Sequence, residues 1–318
     1  MPNLTLQCLV PADVPDPAGP DFAAFLDQYF AMGEELADTL DQWSKHSAPH
    51  GGNTQLFTLP NSGASGKIRK QLGLNDFWAG RMTSCTPDSI REGAEQDGAS
   101  NSLLQAIGNK LRRRSSDIHG VDRPTNERRP TFELNDVERQ KRIMTSSPNG
   151  LYESFRRGLL EYHSENEREY IELLRESECL QVLQPHVAEI WRMTYVTPAP
   201  TNPRTFVTLL LSRELKSAPH GERSFMNVSI PFLHPDCPEK VGDEKSRVRG
   251  RYVSVELVRE HGEEVEWRMA TSSDAGGNIP RFMVNSSLPG KIAEDVPSFI
   301  GWLAQKDSSG TWRKSTLS

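Results

Sequence analysis

With 318 residues and a formal net charge of −6, the chain lacks the basic balance on which general nucleic-acid binding depends. Its apolar share of 36% is below the usual globular value and its charged share of 25% is ordinary, which predicts one well-formed core plus a polar segment that adds length without core.

Asp21 to His46 reads as an amphipathic helix, because Phe22, Phe25, Leu26, Tyr29, Phe30, Leu36, Leu40 and Trp43 recur at steps of three and four. Pro49 and Gly51-Gly52 end it. Gln55 to Leu59 is a short strand, followed by a loop over Pro60 to Lys67. The loop contains Gly63-Ala64-Ser65-Gly66-Lys67, but a phosphate cradle needs Gly at 61 and Ser or Thr at 68, where Asn61 and Ile68 stand. Phe77 to Cys85 predicts a second strand carrying Trp78 and Arg81.

Pro87 to Asn149 is rich in Ser, Asn, Gly, Arg and Asp. Residues 101–150 hold ten Lys or Arg against six Asp or Glu. A flexible insert is expected. The alternative is a switchable segment that docks on an acidic partner or anionic lipid headgroups, with Ser115-Ser116 beside Arg112-Arg113-Arg114 as modification sites.

Helical spacing resumes at Gly150 and again over Glu165 to Leu174. His163 and Glu167, four apart, share a helical face compatible with a metal pair; with no third ligand evident, an exposed or capping role is expected. Strands then follow at Leu180–Leu183, Ala188–Val196, Arg204–Leu215, Arg223–Leu233, Arg247–Arg259 and Val265–Ser272, with a tight hairpin at His261-Gly262-Glu263. With the early strands this makes roughly seven or eight in a curved antiparallel sheet.

Alternation sorts each strand into two faces. Trp191, Met193 and Tyr195 share one, as do Trp267 and Met269. The more apolar sets elsewhere are Val207, Leu209 and Leu211, then Met226, Val228 and Ile230, then Val253, Val255 and Leu257. Their partner sets carry Thr208, Ser212, Asn227, Ser229, Ser254 and Glu256. The apolar face is expected to lie against the helices, chiefly the closing one.

That closing stretch begins with Ile279, Phe282 and Met283 and continues with Ile292, Val296, Phe299, Ile300 and Leu303. Leu288-Pro289-Gly290 interrupts it and predicts a two-piece, kinked helix. Asp274 to Asn278 is the entry loop, with glycines freeing the backbone and Asn278 as the cap.

The wording "SSDAGGNIP…LP…IAEDVPSFIGWL", together with Trp191-Arg192-Met193-Thr194-Tyr195-Val196-Thr197-Pro198, resembles a fungal family of START-like domains of unassigned function. The resemblance extends from about Phe22 to Leu303 without the insert. Trp78, Arg81, Thr83 and Cys85 are similar to a Trp-x-x-Arg-x-Ser-x-His pattern of that family, with Thr83 for Ser and Cys85 for His. The implied architecture is an α+β helix-grip fold, a curved antiparallel sheet closed by a long C-terminal helix. One domain is expected over 1–318, with an ordered core at about 21–85 and 150–305, an insert over 87–149 and a tail over 306–318.

The resemblance also implies a hydrophobic cavity, since a packed core explains the same periodicity. The expected lining is Trp78, Trp191, Met193, Tyr195, Met226, Val228, Trp267, Met269, Phe282, Met283 and Phe299. Three methionines in such a wall suit an adaptable apolar pocket. Polar anchors are sought in Arg81, Tyr195, Tyr252 and Asp274, and Arg81 and Asp274 are candidates to pair with each other.

No nucleophile elbow, dinucleotide turn, zinc-protease helix or kinase signature occurs. Cys8, Cys85, Cys179 and Cys237 are scattered without metal-ligand spacing, so free thiols in a reducing compartment, and no metal or cofactor, are expected. The first residues lack a signal-peptide pattern, and no run approaches the roughly 20 apolar residues of a membrane helix. A cytoplasmic protein is therefore expected, with peripheral membrane contact open to it through the insert. Three functions remain open. One is binding of a lipid, sterol, polyketide or terpenoid. Another is cofactor-independent cyclisation or cycloaddition on a polyketide or terpenoid, which START-like relatives permit. The third is a partner-docking role.

Overall fold

The first long helix, α1 (Asp21–Asp38), follows from its apolar spacing and buries Phe22, Phe25, Leu26, Tyr29, Phe30, Gly33, Leu36 and Ala37. In the computed structural model, which describes residues 3–47, 53–61, 64–90, 150–196, 201–215, 222–238 and 248–313, it is shorter than the spacing suggests. Thr39 ends it by bonding its hydroxyl to the Leu36 carbonyl, 2.7 Å away, and accepts from the Trp43 indole at 3.0 Å. The chain then passes through a 3-10 turn (Leu40–Gln42) into the short strand β1 (Ser44–His46).

After β2 (Thr54–Thr58), the stretch expected as a loop forms α2 (Ala64–Leu72). Arg69 explains its docking: the guanidinium donates to the carbonyls of Leu59, Pro60, Leu74 and Asp76. Strand β3 (Ala79–Cys85) follows, and beyond Ile90 the expected insert lies outside the described residues. The described chain continues with α3 (Gly150–Phe155), a π-helical turn (Arg156–Leu160) and α4 (His163–Tyr170). The remaining strands are β4 (Leu174–Gln184), β5 (Ala188–Tyr195), β6 (Arg204–Glu214), β7 (Ser224–Pro231), β8 (Val248–Arg249), β9 (Arg251–His261) and β10 (Glu264–Asp274).

These make one ten-stranded sheet ordered β1-β2-β3-β10-β9-β7-β6-β5-β4, antiparallel throughout that path, with β8 pairing parallel to β6. The fold is α+β, a curved sheet with a long C-terminal helix, α5 (Arg281–Ser309), in the helix-grip arrangement. The extra strands beyond the expected number are the short β1 and β8.

Sheet register decides what each face meets. One cross-strand row runs Gly80, Ala270, Val255, Val228, Leu211 and Ala188. Its side chains pack with Met226, Val253 and Leu257 against the buried face of α1 in the main core. A Cβ on Gly33 would stand 2.7 Å from the Met226 sulfur, so the small residue is what lets α1 lie this close to β7 and β9. The apolar sheet face therefore belongs to α1. The expectation that the closing helix covers it is corrected: α5 lies on the opposite, more polar face.

Helix α5 is continuous through Pro289 and Pro297, so the expected two-piece lid is a single helix. Each proline removes one N–H from the helical ladder without ending it. Its C-terminal half buries Val296, Phe299, Ile300, Trp302 and Leu303 in a second core with Phe155, Leu159 and Trp267. Asn278 does not cap it, because the residue preceding the helix is Pro280, whose carbonyl accepts from the Met283 amide at 3.0 Å. In the entry loop, Gly276 and Gly277 both have positive φ, 65° and 63°. A Cβ on Gly276 would come within 2.2 Å of the Arg249 carbonyl oxygen.

Candidate functional site: a cavity between the sheet and the closing helix

The face opposite α1 carries the alternate rows. Arg81, Met269, Glu256 and Asn227 lie side by side across β3, β10, β9 and β7, and Thr271, Ser254 and Ser229 form the next row. Over them pass Leu288, Ile292, Asp295 and Ser298 of α5 and His163, Glu167 and Tyr170 of α4, each set spaced by three or four residues on one helical face. Between these walls is a cavity of about 820 Å³, also lined by Tyr195, Phe206, Tyr252, Trp267, Ile279 and Met283. It is larger than the cleft of about 550 Å³ beside the start of α1.

The polar floor is concentrated at Arg81. Its side chain is 1% exposed, and its Nη2 faces Glu256 Oε1 at 3.5 Å. Its guanidinium carbon sits 3.7 Å from the centre of the Trp267 ring. Trp267 donates its indole N–H to Glu256 Oε1 at 2.8 Å, so one carboxylate joins both residues. Burial pushes the Arg81 pKa down, and the facing carboxylates of Glu256 and Asp295 only partly oppose it.

The turn between α3 and α4 places His163. The π-helical turn presents the Leu159 carbonyl, which accepts from His163 Nδ1 at 2.7 Å and from Asn227 Nδ2 at 2.8 Å. Tyr162 adopts a left-handed conformation with φ 60°, and Asn166 Nδ2 ties the junction by donating to the carbonyls of Arg157, Gly158 and Glu161. Burial lowers the affinity of His163 for a proton, but Glu167 and Glu256 more than offset it, and the net shift of its pKa is upward.

Glu167 and Asp295 face the cavity and are half-buried, and burial is the main cause of their raised pKa values, about 7 and about 6. Repulsion from Glu256 adds to both shifts. The phenols of Tyr170, Tyr195 and Tyr252 are held neutral by burial first and by nearby carboxylates second. No group of three or more metal-ligating side chains occurs among the described residues.

The sequence candidates separate accordingly. Arg81, Tyr195, Tyr252, Trp267, Met269 and Met283 line the cavity. Met226 and Val228 instead pack under α1, because their register puts them on the other sheet face. Trp78 is also in that core, fully buried. Trp191 and Met193 point to the cavity side but are enclosed in an apolar cluster with Leu174 and Leu210. Phe299 is packed between Phe155 and Trp267, at centroid distances of 5.2 and 5.0 Å. Phe282 projects from α5 and is 72% exposed.

Asp274 neither lines the cavity nor pairs with Arg81. It accepts from the Gly276 amide at 2.9 Å and from Arg281 at 3.2 Å, which stabilises the lid entry turn. His163 and Glu167, expected to be exposed or capping, are instead in the cavity wall. Glu256, Asn227 and Asp295 were not singled out as site residues. Their signal was a polar set on strands buried on both faces and an acid inside the apolar stripe of α5.

A second cleft of about 550 Å³ lies beside the start of α1. Its charged groups are already engaged within the protein, Arg213 with Asp27 and Arg156 with Glu214. The cavity beneath α5 is the better candidate because Nε and Nη1 of Arg81 and Oδ1 of Asn227 are buried in its wall without hydrogen-bond partners.

Residues 139–303, which include α3, α4, most of the sheet and most of α5, match the family described as "Protein of unknown function (DUF3074)". The chain belongs to this family. No curated protein matches this DUF3074 chain. Among solved structures, human STARD10 is similar at 12% identity and a TM-score of 0.48, covering 88% of this chain and 80% of that one. Human StAR-related lipid transfer protein 5 is 13% identical with a TM-score of 0.46, covering 88% of this chain and 98% of its own. The human StarD13 (DLC2) lipid transfer and protein localization domain is 14% identical with a TM-score of 0.43, covering 85% and 92%. No helix of the described residues of the DUF3074 chain is long and apolar enough to cross a membrane.

Proposed function

We propose that the protein binds a hydrophobic small molecule, of the lipid, sterol, polyketide or terpenoid kind, in the cavity beneath α5. The observation that carries this reading is the cavity itself, about 820 Å³ between a buried sheet face and a helix. That volume lies within the range of small-molecule sites, which combine apolar walls with a few convergent polar groups. Phe206, Trp267, Met269, Leu288 and Ile292 supply apolar wall, and Arg81, Glu256 and the tyrosines supply anchors. The cavity edge also carries Leu173 and Met283, 40% and 51% exposed, and Phe282 projects nearby on the first turn of α5. Such an edge suits entry of an apolar molecule, including from a membrane surface.

The test is native mass spectrometry of the purified full chain, followed by organic extraction and uptake from a panel of lipids, polyketides and terpenoids. A bound or acquired apolar molecule supports the reading. Absence of both overturns it.

A second reading, cofactor-independent cyclisation of a bound polyketide or terpenoid, is favoured by the placement of Glu167 in the cavity wall, where burial pushes its carboxyl up to about 7 and so lets it give or take a proton near neutral pH. Arg81 and the tyrosine phenols would stabilise a developing oxyanion. Product formation by the full chain from such a substrate supports this second reading, and uptake with quantitative return of unchanged ligand counts against it.

A further inference from the structure

We infer that the cavity selects an apolar molecule bearing a protonated amine, held between Glu167 of α4 and Asp295 of α5. The inference rests on the cavity-binding reading and adds the chemistry of the ligand's polar end.

Among the described residues the side chains of Glu167 and Asp295 make no hydrogen bond and no ion pair within 4.0 Å, with His163 and Arg81 acting on them from further away, and both face the cavity. A second, independent feature points to a ligand there: Arg81, 1% exposed and lining the same cavity, leaves Nε and Nη1 without acceptors. The Oδ1 of Asn227, in the same cross-strand row, is likewise buried without a donor. Orphaned buried polar atoms of this kind are uncommon, and a ligand is one way of satisfying them.

Charge decides the sign of that ligand. With all three acids ionised, Glu167, Glu256 and Asp295 face one permanent cation, Arg81, and one histidine, His163, and the group is then a positive charge short even with the imidazole protonated. The other cations in the wall are engaged elsewhere. Lys291 pairs with Glu294 at 2.8 Å, and Arg204 donates to the Asn202 carbonyl. Glu172 adds a further acid at the exposed edge.

An anionic head would deepen the imbalance, and an alcohol would leave both carboxylates needing protons. An ammonium satisfies them directly, and the faces of Tyr170, Tyr195, Tyr252 and Trp267 around it are attractive to a cation. An acceptor atom beside the nitrogen would meet the free donors of Arg81.

The experiment compares decylamine, decanol and decanoate, which share one tail, by calorimetric titration of the full chain at pH 7.5. Decylamine is expected to bind at least about tenfold more tightly than either comparator, the scale of one charge-assisted hydrogen bond. In Glu167→Gln and Asp295→Asn the amine-to-alcohol ratio is expected to fall toward one, with thermal unfolding used to verify that each variant is folded. Equal or tighter binding of decanol or decanoate overturns the inference and leaves the cavity reading standing. An unchanged ratio in both folded variants overturns the assignment to these carboxylates. Binding of none of the three, or of any neutral apolar probe, overturns the cavity reading and the inference with it.

Discussion

The guanidinium of Arg81 lies 3.7 Å over the ring of Trp267, and both side chains meet Glu256. The stack links the two regions beneath α5: Trp267 is packed in the core with Phe155 and Phe299, and Arg81 lines the cavity. Truncating Arg81→Ala removes the cation facing a buried carboxylate. A loss of about 3–5 kcal/mol is expected for breaking a buried pair on one side only. Chemical denaturation of wild type and variant measures it, and Glu256→Gln combined with Arg81→Met is expected to recover part of the loss.

The assignment of sheet faces is tested by two substitutions with opposite signatures. Met226→Ala, under α1, is expected to cost about 2–5 kcal/mol of stability through lost burial and a residual cavity. Ligand uptake per folded molecule should not change, since Met226 lies in the main core and not in the cavity wall. Met269→Trp, in the wall, is expected to suppress uptake of bulky apolar ligands while altering stability less. Uptake measured by native mass spectrometry separates the two.

Stability should depend on pH through Glu167 and Asp295. Their pKa values in the folded protein, about 7 and about 6, exceed their ordinary carboxyl values of 4.5 and 3.8. The folded state thus binds protons more tightly than the unfolded state. Their contribution is most favourable below about pH 4, where both states are protonated, and falls as pH rises through 6 and 7. His163, also raised, acts in the same direction, contributing stability below its unfolded value that is lost as pH rises through its folded one. Melting temperatures from pH 5 to 8 should therefore decline less steeply in Glu167→Gln and Asp295→Asn. At pH 8 each variant should be the more stable by on the order of 1–3 kcal/mol.

The lid entry is sensitive to a single methyl group. Gly276→Ala places a Cβ at a positive φ and 2.2 Å from the Arg249 carbonyl oxygen. The conformation alone costs about 1–2 kcal/mol for a residue with a Cβ, and the backbone clash adds to it. Faster hydrogen exchange over the first turns of α5 is the expected result. Asp274→Ala, which removes bonds to Gly276 and Arg281, should produce the same pattern more weakly.

Much of this architecture was legible before the structure. Helix α1, strands β2 and β3, the meander from β5 to β10 and the closing helix all follow from apolar spacing and turn residues, because those patterns reflect local backbone geometry. Helix α2 was missed, since its docking depends on Arg69 reaching carbonyls brought together only by folding. Lid continuity was missed because the neighbours of Pro289 hold the helix, and the tertiary packing of Leu288 and Ile292 is invisible to spacing.

The amino-acid sequence by itself determined the alternation on β7, β9 and β10 and the membership of each face, including the pairing of Trp267 with Met269. Alternation has a period of two and no sign, so it names two faces without saying what covers them. Only the tertiary structure decided that α1 covers the apolar face, that α5 covers the polar one, and that a cavity remains between α5 and the sheet. Only it assembled Arg81, His163, Glu167, Glu256 and Asp295, which come from β3, α4, β9 and α5, because charges this far apart in the chain meet through sheet register and helix placement.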